Sequence, residues 1–265
     1  MVETFATPLL KKLHAAVKEF LETEVYPNEL RWLRSPFQQV ESEIRSLRDK
    51  ARATGAWNPH LPEEHGGAGL GLSGFGQLSE LLGTTPFGHL SFNCQAPDAG
   101  NTELLLEYGS PDIRRKYLDP LLAGDIRSCF AMTEPAYAGS NPVRMSTTAV
   151  RDGEDYVING HKWFTSSADG ASFSIVMAVT NPEADNPYQR ASMIIVPTDN
   201  PGFRLVRNIP VMGHTGEGWH SHAEIRLEEV RVPKSNRLGA EGEGFKLAQQ
   251  RLGPGRIHHC MRWIG

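Results

Sequence analysis

The first half of the chain has the spacing of amphipathic helices. Apolar residues recur three or four positions apart in three stretches: Leu9, Leu10, Leu13, Val17, Phe20 and Leu21; Val40, Ile44, Leu47 and Ala51; Leu78, Leu81 and Leu82. Such spacing puts the apolar side chains on one face of a helix. Thr7-Pro8 and Ser110-Pro111 each pair a capping hydroxyl with a proline suited to the first helical position, and Gly124 suits a helix end. The pattern predicts at least four helices before residue 124.

After Gly124 the apolar positions alternate, as in β-strands. The alternating segments are 128–133, 173–179, 192–197, 203–206 and 223–233. Asp152-Gly153 lies between two strand-like segments, and this pair is typical of a hairpin turn. Closely spaced strands of this kind predict a compact antiparallel sheet or barrel. With the helices before it, the chain is predicted to be an α+β protein containing an antiparallel β-barrel domain.

The helical spacing returns after Glu243. Its apolar positions are Phe245, Leu247, Ala248, Leu252, Ile257, Cys260, Met261 and Ile264. The chain stops on this amphipathic stretch, so we expect a following domain to be missing and an apolar face to lack its partner. The predicted organisation is a helical domain over 1–125, a β-domain over 126–238, and the first helix of an incomplete helical domain over 239–265.

Composition narrows the class of protein. The 265 residues carry 27 Lys and Arg against 31 Asp and Glu, a net charge of −4, which argues against nucleic-acid binding. The three distant cysteines, Cys94, Cys129 and Cys260, fit reduced thiols better than a disulfide framework. Apolar runs fall short of the roughly 18 residues of a membrane helix. Charged residues interrupt the first twenty positions, so no signal peptide is expected, and the predicted location is the cytoplasm.

Two motifs favour ordinary readings. Gly69-Leu70-Gly71-Leu72-Ser73-Gly74 matches a dinucleotide-binding fingerprint, but a polar turn rather than a buried strand precedes it, so a glycine-rich connecting loop is the better interpretation. His214, His220 and His222 suggest a metal site, but no carboxylate or thiolate completes the ligand set, so we expect solvent-facing loop histidines. The adjacent His258 and His259 point about 100° apart on a helix and are poor joint ligands.

Two further segments could form a binding site. In 130–140 a strand ends in Thr133, and a turn containing Pro135 and Gly139 follows; such a turn can present backbone N–H groups to an anion such as a diphosphate. In 159–167, two aromatic residues stand beside several hydroxyls. Taken separately, the first segment could equally be an ordinary strand exit, and the second a hairpin with core aromatics.

Together these segments resemble the acyl-CoA dehydrogenase family of flavoenzymes. LPEEHGGAGLG at 61–71 resembles the family's loop between early helices, and LGAEGEGFKLAQQRLGPGR at 238–256 resembles the entry into its C-terminal helical domain. FNCQAPDAGN, CFAMTEP and RLGPGRIHHCMR resemble more narrowly the branch that includes members 10 and 11. The resemblance covers nearly the whole chain.

The resemblance implies an N-terminal helical domain, a middle β-domain and a C-terminal four-helix bundle, with FAD between the last two. By motif position, Phe130, Met132 and Thr133 would border the isoalloxazine ring. Gly139 and Ser140 would approach the diphosphate and the substrate thioester arm. In the aromatic-x-Thr triplet at 164–166, Phe164 would pack on the ring, Thr165 would take the middle position, and the Ser166 hydroxyl would lie near N5.

Two departures from the family pattern affect this site. The turn after the Thr-Glu-Pro sequence is one residue longer than the common TEPGAGS form, and Phe164 replaces the commoner Trp. Arg256 matches a substrate-side position.

The reaction implied is α,β-dehydrogenation of an acyl-CoA thioester in fatty acid metabolism. A carboxylate base removes the α-proton while the β-hydrogen passes as hydride to flavin N5, and electron-transfer flavoprotein accepts the electrons. In most of the family the base lies in the bundle beyond residue 265. A minority place a Glu directly before the matching arginine, where this chain has Gly255. The catalytic residue is therefore left unassigned, and we expect the 265-residue chain to have negligible turnover.

Other activities remain open on the sequence. The same fold would suit an acyl-CoA oxidase or a flavin monooxygenase, and the missing base would suit a non-catalytic flavin-binding or acyl-CoA-binding fragment. The family resemblance also implies a homo-oligomer, dimer or tetramer, for the full-length protein. No nucleic-acid partner, metal or membrane span is expected.

Overall fold

The computed structural model describes residues 6–265, which pack as two compact units. One unit contains residues up to Ala99 together with Gly253–Gly265, and the other contains Gly100–Leu252. Within the described residues, no helix is long and apolar enough to cross a membrane.

The first unit is helical, as predicted. Its helices from residue 8 to 91 are α1 (Pro8–Phe20), α2 (Tyr26–Arg34), α3 (Phe37–Ala53), α4 (Gly71–Gly83) and α5 (Gly88–Ser91), with a π-helical turn over Leu21–Val25. The Thr7 hydroxyl caps α1 by accepting a hydrogen bond from Leu10 N–H over 3.1 Å. The predicted stripe is buried at Leu10, Leu13, Val17, Phe20 and Leu21, whereas Leu9 is exposed.

The glycine-rich motif is partly helical. Helix α4 begins at Gly71, inside the predicted loop, and Gly69 and Gly71 both have positive φ. No strand lies between residues 61 and 70, so the dinucleotide-binding interpretation is wrong.

The second unit begins with helices and continues as a sheet. Its helices are α6 (Asp98–Tyr108), α7 (Pro111–Ile113) and α8 (Asp119–Ala123), with a π-helical segment over Arg114–Leu118. Ser110 caps α7 and Gly124, at φ 74°, ends α8, as predicted. The strands are β1 (Ser128–Ala131), β2 (Thr148–Asp152), β3 (Asp155–Ser166), β4 (Phe173–Val179), β5 (Ala191–Pro197), β6 (Phe203–Asn208), β7 (His222–Pro233) and β8 (Arg237–Leu238).

The sheet differs from the predicted antiparallel barrel in two respects. Its strand order is β6-β7-β3-β2-β4-β5-β8, with β1 paired to β4, and no pairing among the described residues joins β6 to β8. The sheet is therefore not closed. The β1–β4 pairing and the single β2–β4 contact are parallel, because β1 reaches the sheet from a helix rather than through a hairpin. The predicted hairpin at Asp152-Gly153 is present, with Gly153 at φ 57°.

Strands β4 and β5 are buried on both faces. Val176 and Ile194 belong to the core between the strands, whereas Ile175 and Met193 pack with Leu105 of α6. Because both faces are covered, these strands are nearly continuously apolar. Strand β1 pairs with β4.

The last helix, α9 (Gly244–Ile264), contributes to both units. Leu247 and Ala248 are buried in the second unit's core. The predicted exposed face is only partly present. Phe245 stacks on Tyr188 with ring centroids 4.6 Å apart, and Met261 packs where Gly76 has no side chain. Ile257 and Ile264 are exposed.

Candidate functional site

Two backbone and side-chain bonds hold the two candidate segments side by side. The Thr133 hydroxyl donates to the Trp163 carbonyl over 2.8 Å, and Trp163 N–H donates to the Thr133 carbonyl over 3.1 Å. Thr133 follows the end of β1, and Trp163 lies within β3. The two segments are therefore direct neighbours, and we take their accessible residues together as the candidate surface.

A bulge in β3 determines which side chains reach that surface. The register with β7 shifts between Lys162 and Thr165, and Phe164 takes a positive φ of 48°. A β-bulge reorients the side chains that follow it. As a result Phe164 is 46% exposed and Thr165 is fully buried, while Ser166 is half-buried. Phe164 is therefore turned outward at the bulge, Thr165 points into the core, and Ser166 lies on the opposite side of the strand from Thr165.

The turn after Thr133 presents backbone donors. The N–H groups of Ala138, Gly139 and Ser140 reach no acceptor within residues 6–265, and Ser140 is exposed. A side chain at Gly139 would put its Cβ 2.9 Å from the Thr133 methyl, so the turn approaches Thr133 closely. Arg144 lines the same pocket as Thr133 and Gly139. In the described part of the chain, its guanidinium pairs with no carboxylate. Free N–H groups beside an unpaired guanidinium are suited to an anion.

A buried ion pair supports the turn from below. Lys162 Nζ donates to the Glu134 carboxylate and to the Met132 carbonyl, each over 2.9 Å, and both side chains are at most 2% exposed. Glu134 also accepts from the Ser146 and Thr147 N–H groups over 2.7 and 2.9 Å. Burial opposes ionisation, but Lys162 and these donors outweigh it and lower the pKa of Glu134 to about 2. Glu134 is thus a charged anchor for the loop.

The guanidinium group of Arg251 lies over the ring of Phe130. Arg251, from α9, lies 4.1 Å from the ring centroid and donates from Nε to Asn101 Oδ1 over 2.9 Å. A side chain at Gly100 would place its Cβ 3.2 Å from the Arg251 Nε, so the guanidinium occupies the space a larger residue would need. Asn101 in turn donates to the Cys129 carbonyl over 3.2 Å, which connects the cluster to β1.

His214 is exposed in a loop, as predicted, but the other two histidines are arranged differently. His220 is not a solvent-facing loop residue, because burial, followed by the nearby charge of Arg127, lowers its pKa to about 4. His222 lies on β7 directly opposite Ser166, and its Nδ1 is 2.8 Å from the Ser166 hydroxyl. Within the described residues, no group of three or more His, Cys, Asp or Glu side chains could hold a metal ion.

Arg256, the predicted substrate-side residue, is exposed on α9 in the first unit. The sequence prediction assigns eight residues to the flavin surface. Apart from Thr165, all of them are at least partly accessible. These seven are Phe130, Met132, Thr133, Gly139, Ser140, Phe164 and Ser166. Thr165 can contribute to this surface only through its backbone.

The sequence prediction did not include Lys162, Arg251 or His222. Lys162 had a usable signal, because it shares the inward phase of Tyr156 and Ile158 along β3, and an inward lysine needs a buried carboxylate partner. Arg251 had no such signal, since its partner Asn101 lies 150 residues away.

Comparison with known proteins identifies the class to which this fold and site belong. Residues 7–125 match the N-terminal domain of acyl-CoA dehydrogenase, and residues 129–230 match its middle domain. The chain belongs to the acyl-CoA dehydrogenase family.

Its relatives fall in the predicted branch. Acyl-CoA dehydrogenase family member 10 of Mus musculus is 41% identical over 98% of this chain and 25% of its own length. Family member 11 of Gallus gallus is 42% identical over 94% of this chain and 33% of its own length. A candidate acyl-CoA dehydrogenase of known structure from Mycobacterium abscessus superposes with a TM-score of 0.89 and 40% identity, over 97% of this chain and 66% of the other. The chain therefore spans a quarter to a third of these two curated relatives.

Proposed function

We propose that this chain supplies the flavin-facing β-domain of an FAD-dependent acyl-CoA dehydrogenase, which removes hydrogens from the α and β carbons of an acyl-CoA thioester in fatty acid metabolism. The observation that carries the proposal is the reciprocal pairing of Thr133 with Trp163, which joins the two family motifs by hydrogen bonds. FAD supplies the electron sink that accepts the hydride, a chemistry that side chains alone lack.

The residues of the surface fit a flat heterocycle. Phe164 is held outward in a sparsely populated backbone conformation, and its ring lies 4.9 Å from that of Trp163. Backbone strain of this kind costs about 1–3 kcal/mol and persists where surrounding structure imposes it, commonly at binding sites. Ser166, two residues further along β3, offers a half-buried hydroxyl. An aromatic wall with a neighbouring hydroxyl is what an isoalloxazine ring would use.

The turn fits the charged part of the cofactor. The free N–H groups of Ala138, Gly139 and Ser140, with the Arg144 guanidinium beside them, offer donors and positive charge to a diphosphate. The buried Lys162–Glu134 pair fixes the loop that presents these groups, so little ordering entropy need be lost on binding. Ser140 is our proposed contact for the acyl-CoA thioester in this unit, and Arg256, in the other unit, is a separate proposed substrate contact.

The base for α-proton removal is a separate question. Glu243 accepts from Ala240 N–H over 3.0 Å and from Lys246 over 2.9 Å, and these bonds lower its pKa. In Glu241, burial is outweighed by hydrogen bonds from Tyr156 and Arg151, which lower its pKa. Glu134, whose pKa is about 2, is equally unsuited to accept a proton at neutral pH.

Glu103 differs from these three carboxyls. Burial raises its pKa to about 7 despite the neighbouring Arg251, which is the range in which a general base works well. Glu103 is therefore the first carboxyl to test within this chain. The expectation for the isolated chain remains negligible turnover, with the base of the whole protein lying outside it.

For the whole protein we propose electron-transfer flavoprotein as the electron acceptor and a homo-oligomeric assembly. Fast reaction of the reduced protein with oxygen would instead favour an acyl-CoA oxidase or a flavin monooxygenase.

The proposal is tested by titrating the chain with FAD and with riboflavin, which has the ring but no phosphate. Ser166→Ala should weaken both ligands, since each loses a hydrogen bond of about 1 kcal/mol. Arg144→Gln should weaken FAD and leave riboflavin unchanged, because only FAD carries the diphosphate. Arg204→Gln, on the exposed edge strand β6, is the matched control and should affect neither. Absence of FAD uptake by the unmodified chain, or equal loss of both ligands in Arg144→Gln, would contradict the proposal.

The base is tested in a protein that extends beyond this chain. Glu103→Gln and Glu243→Gln are compared by the rate at which an acyl-CoA bleaches the bound flavin. We expect both variants to bleach at the parent rate, because the proposed base lies outside this chain. Slower bleaching in Glu103→Gln alone would instead identify Glu103 as the base.

A further inference from the structure

The Ser166 hydroxyl has a hydrogen-bond partner within the protein, in addition to any ligand that it would contact. Ser166 and His222 are directly opposed across β3 and β7, and Ser166 Oγ lies 2.8 Å from His222 Nδ1. The pair lies just beyond the bulge that exposes Phe164. His222 is therefore joined to a half-buried hydroxyl that lies two residues after Phe164 on β3.

The position of His222 is fixed by its backbone. The adjoining Ser167 N–H donates to the Ser221 carbonyl over 2.8 Å, and Ile209 N–H donates to the His222 carbonyl over 2.8 Å. Hydrogen bonds thus hold the strand of His222 from both sides, by β3 and by the segment after β6. The backbone of His222 is thus fixed on both sides, and its Nδ1 lies at hydrogen-bond distance from the Ser166 hydroxyl.

A hydroxyl has one hydrogen, so the two partners of Ser166 compete for it. A neutral imidazole carries its proton on either Nδ1 or Nε2. When Nδ1 carries it, Nδ1–H donates to Ser166 and the hydroxyl hydrogen is free to donate outward. When Nε2 carries it, Nδ1 accepts the hydroxyl hydrogen, and Ser166 presents only lone pairs outward. Burial lowers the pKa of His222, which favours these neutral forms at neutral pH.

We propose that His222 is a positioning residue that sets the direction of the Ser166 hydroxyl, so that Ser166 donates to a ligand nitrogen that is a bare acceptor and accepts from the same nitrogen when it carries hydrogen. This inference rests on the proposed flavin site, whose N5 is such a nitrogen in its oxidised and reduced states. The two imidazole tautomers match the two requirements without a change of charge at the site. A serine paired with an aliphatic residue would lack this control.

The test is a double-mutant cycle read by the flavin reduction potential of the FAD-loaded chain. His222→Leu removes both hydrogen-bonding roles, Ser166→Ala removes the hydroxyl, and the cycle includes the double variant. His222→Asn retains a donor and an acceptor near the position of Nδ1. We expect His222→Leu to shift the potential and to weaken FAD by about fivefold, the value of one neutral hydrogen bond. Both effects should vanish in the Ser166→Ala background, and His222→Asn should restore part of the potential.

A second readout needs no catalysis. In chain labelled with ¹⁵N-histidine, the ring nitrogen shifts report which nitrogen of His222 carries the proton. Addition of oxidised FAD should move His222 toward the Nδ1–H form in the parent chain and not in Ser166→Ala.

The outcomes separate this inference from the proposed function. If the chain binds FAD but His222→Leu has the same effect with and without the Ser166 hydroxyl, His222 only stabilises the sheet and the inference is wrong. The inference is equally wrong if FAD binds and leaves the His222 ring shifts unchanged. If the parent chain binds no FAD, the proposed function is contradicted and the inference falls with it.

Discussion

Thr133 and Trp163 exchange hydrogen bonds across 30 residues of sequence: the Thr133 hydroxyl donates to the Trp163 carbonyl over 2.8 Å, and Trp163 N–H donates to the Thr133 carbonyl over 3.1 Å. The first bond uses a side chain and the second only backbone. A substitution at Thr133 can therefore remove one bond and leave the other, which separates the alignment of the two segments from their general stability.

Thr133→Val should weaken FAD binding with a small loss of stability. Valine has nearly the same shape as threonine but cannot donate to Trp163, and the lost bond contributes about 1 kcal/mol. Fluorescence titration with FAD and thermal unfolding measure the two effects. Thr148→Val, on the exposed side of β2, is the matched control and should leave FAD affinity unchanged. Equal effects of the two variants would mean that the Thr133 hydroxyl has no special part in aligning the site.

Gly139→Ala should reduce FAD affinity more than it reduces the melting temperature. The new Cβ would lie 2.9 Å from the Thr133 methyl, whose position is fixed by the bond to Trp163, so the turn or Thr133 must move. Because the turn is exposed, few buried contacts are lost. Gly253→Ala is the control, since its Cβ would meet nothing within 4 Å. An alanine at 139 that left FAD affinity at the parent value would show that the turn is not the binding element.

Lys162→Met should destabilise the second unit strongly, because it leaves the Glu134 carboxylate buried without its ammonium partner. Removing one member of a buried pair typically costs about 3–5 kcal/mol. Adding Glu134→Gln should recover part of the loss by removing the stranded charge. Arg204→Met breaks the exposed Arg204–Glu228 pair and should change stability by less than about 1 kcal/mol. Urea unfolding of the four proteins tests this, and a double variant less stable than Lys162→Met would contradict it.

The same pair predicts a pH dependence. The folded protein lowers the pKa of Glu134 from 4.5 to about 2, so the unfolded chain binds the proton more tightly. Its stabilising effect is complete above about pH 4.5 and is lost as the pH falls toward 2. Glu134→Gln should therefore flatten the pH dependence of unfolding in that interval. An unchanged slope between pH 4.5 and 2 would show that Glu134 is not held charged in the folded state.

His89 predicts a loss of stability in the first unit that begins at a higher pH than the loss caused by Glu134. Its side chain is buried with Nε2 2.7 Å from the Ser79 hydroxyl, and burial, followed by the charge of Arg262, lowers its pKa to about 3. Below the ordinary histidine pKa of 6.5, the unfolded chain binds a proton at His89 that the folded chain does not bind. Stability should fall by up to about 1.4 kcal/mol per pH unit from pH 6.5 toward 3. His89→Gln should reduce this slope, measured by urea unfolding at stepped pH, and a slope equal to that of the parent would refute the assignment.

The sequence predicted most of the helices and strands because their signals are local. The caps at Thr7 and Ser110, the ends at Gly124 and Gly153, and the stripes of α1 and α3 depend on neighbours within a few residues. The closed barrel was predicted wrongly for the opposite reason. Closure depends on whether β6 and β8 meet, and the alternation within a strand carries no information about its partner.

The candidate site shows the same division at the level of single residues. Motif resemblance selected Thr133, Phe164 and Ser166, but the burial of Thr165 follows from a bulge that reverses the strand phase after Lys162. The partners Arg251 of Phe130 and His222 of Ser166 are distant in sequence, and neither pair has a local signal.

By itself, the sequence determined the family, the α+β class and the choice of two segments for the candidate site, because these are recorded in residue identity and short-range spacing. Only the tertiary structure decided that the sheet stays open, that Lys162 and Glu134 form a buried pair, and that Ser166 hydrogen-bonds His222. The physical reason is that local propensity acts over a few residues, whereas strand pairing, burial of charge and the competition for one hydroxyl hydrogen are settled by groups that only the fold brings together.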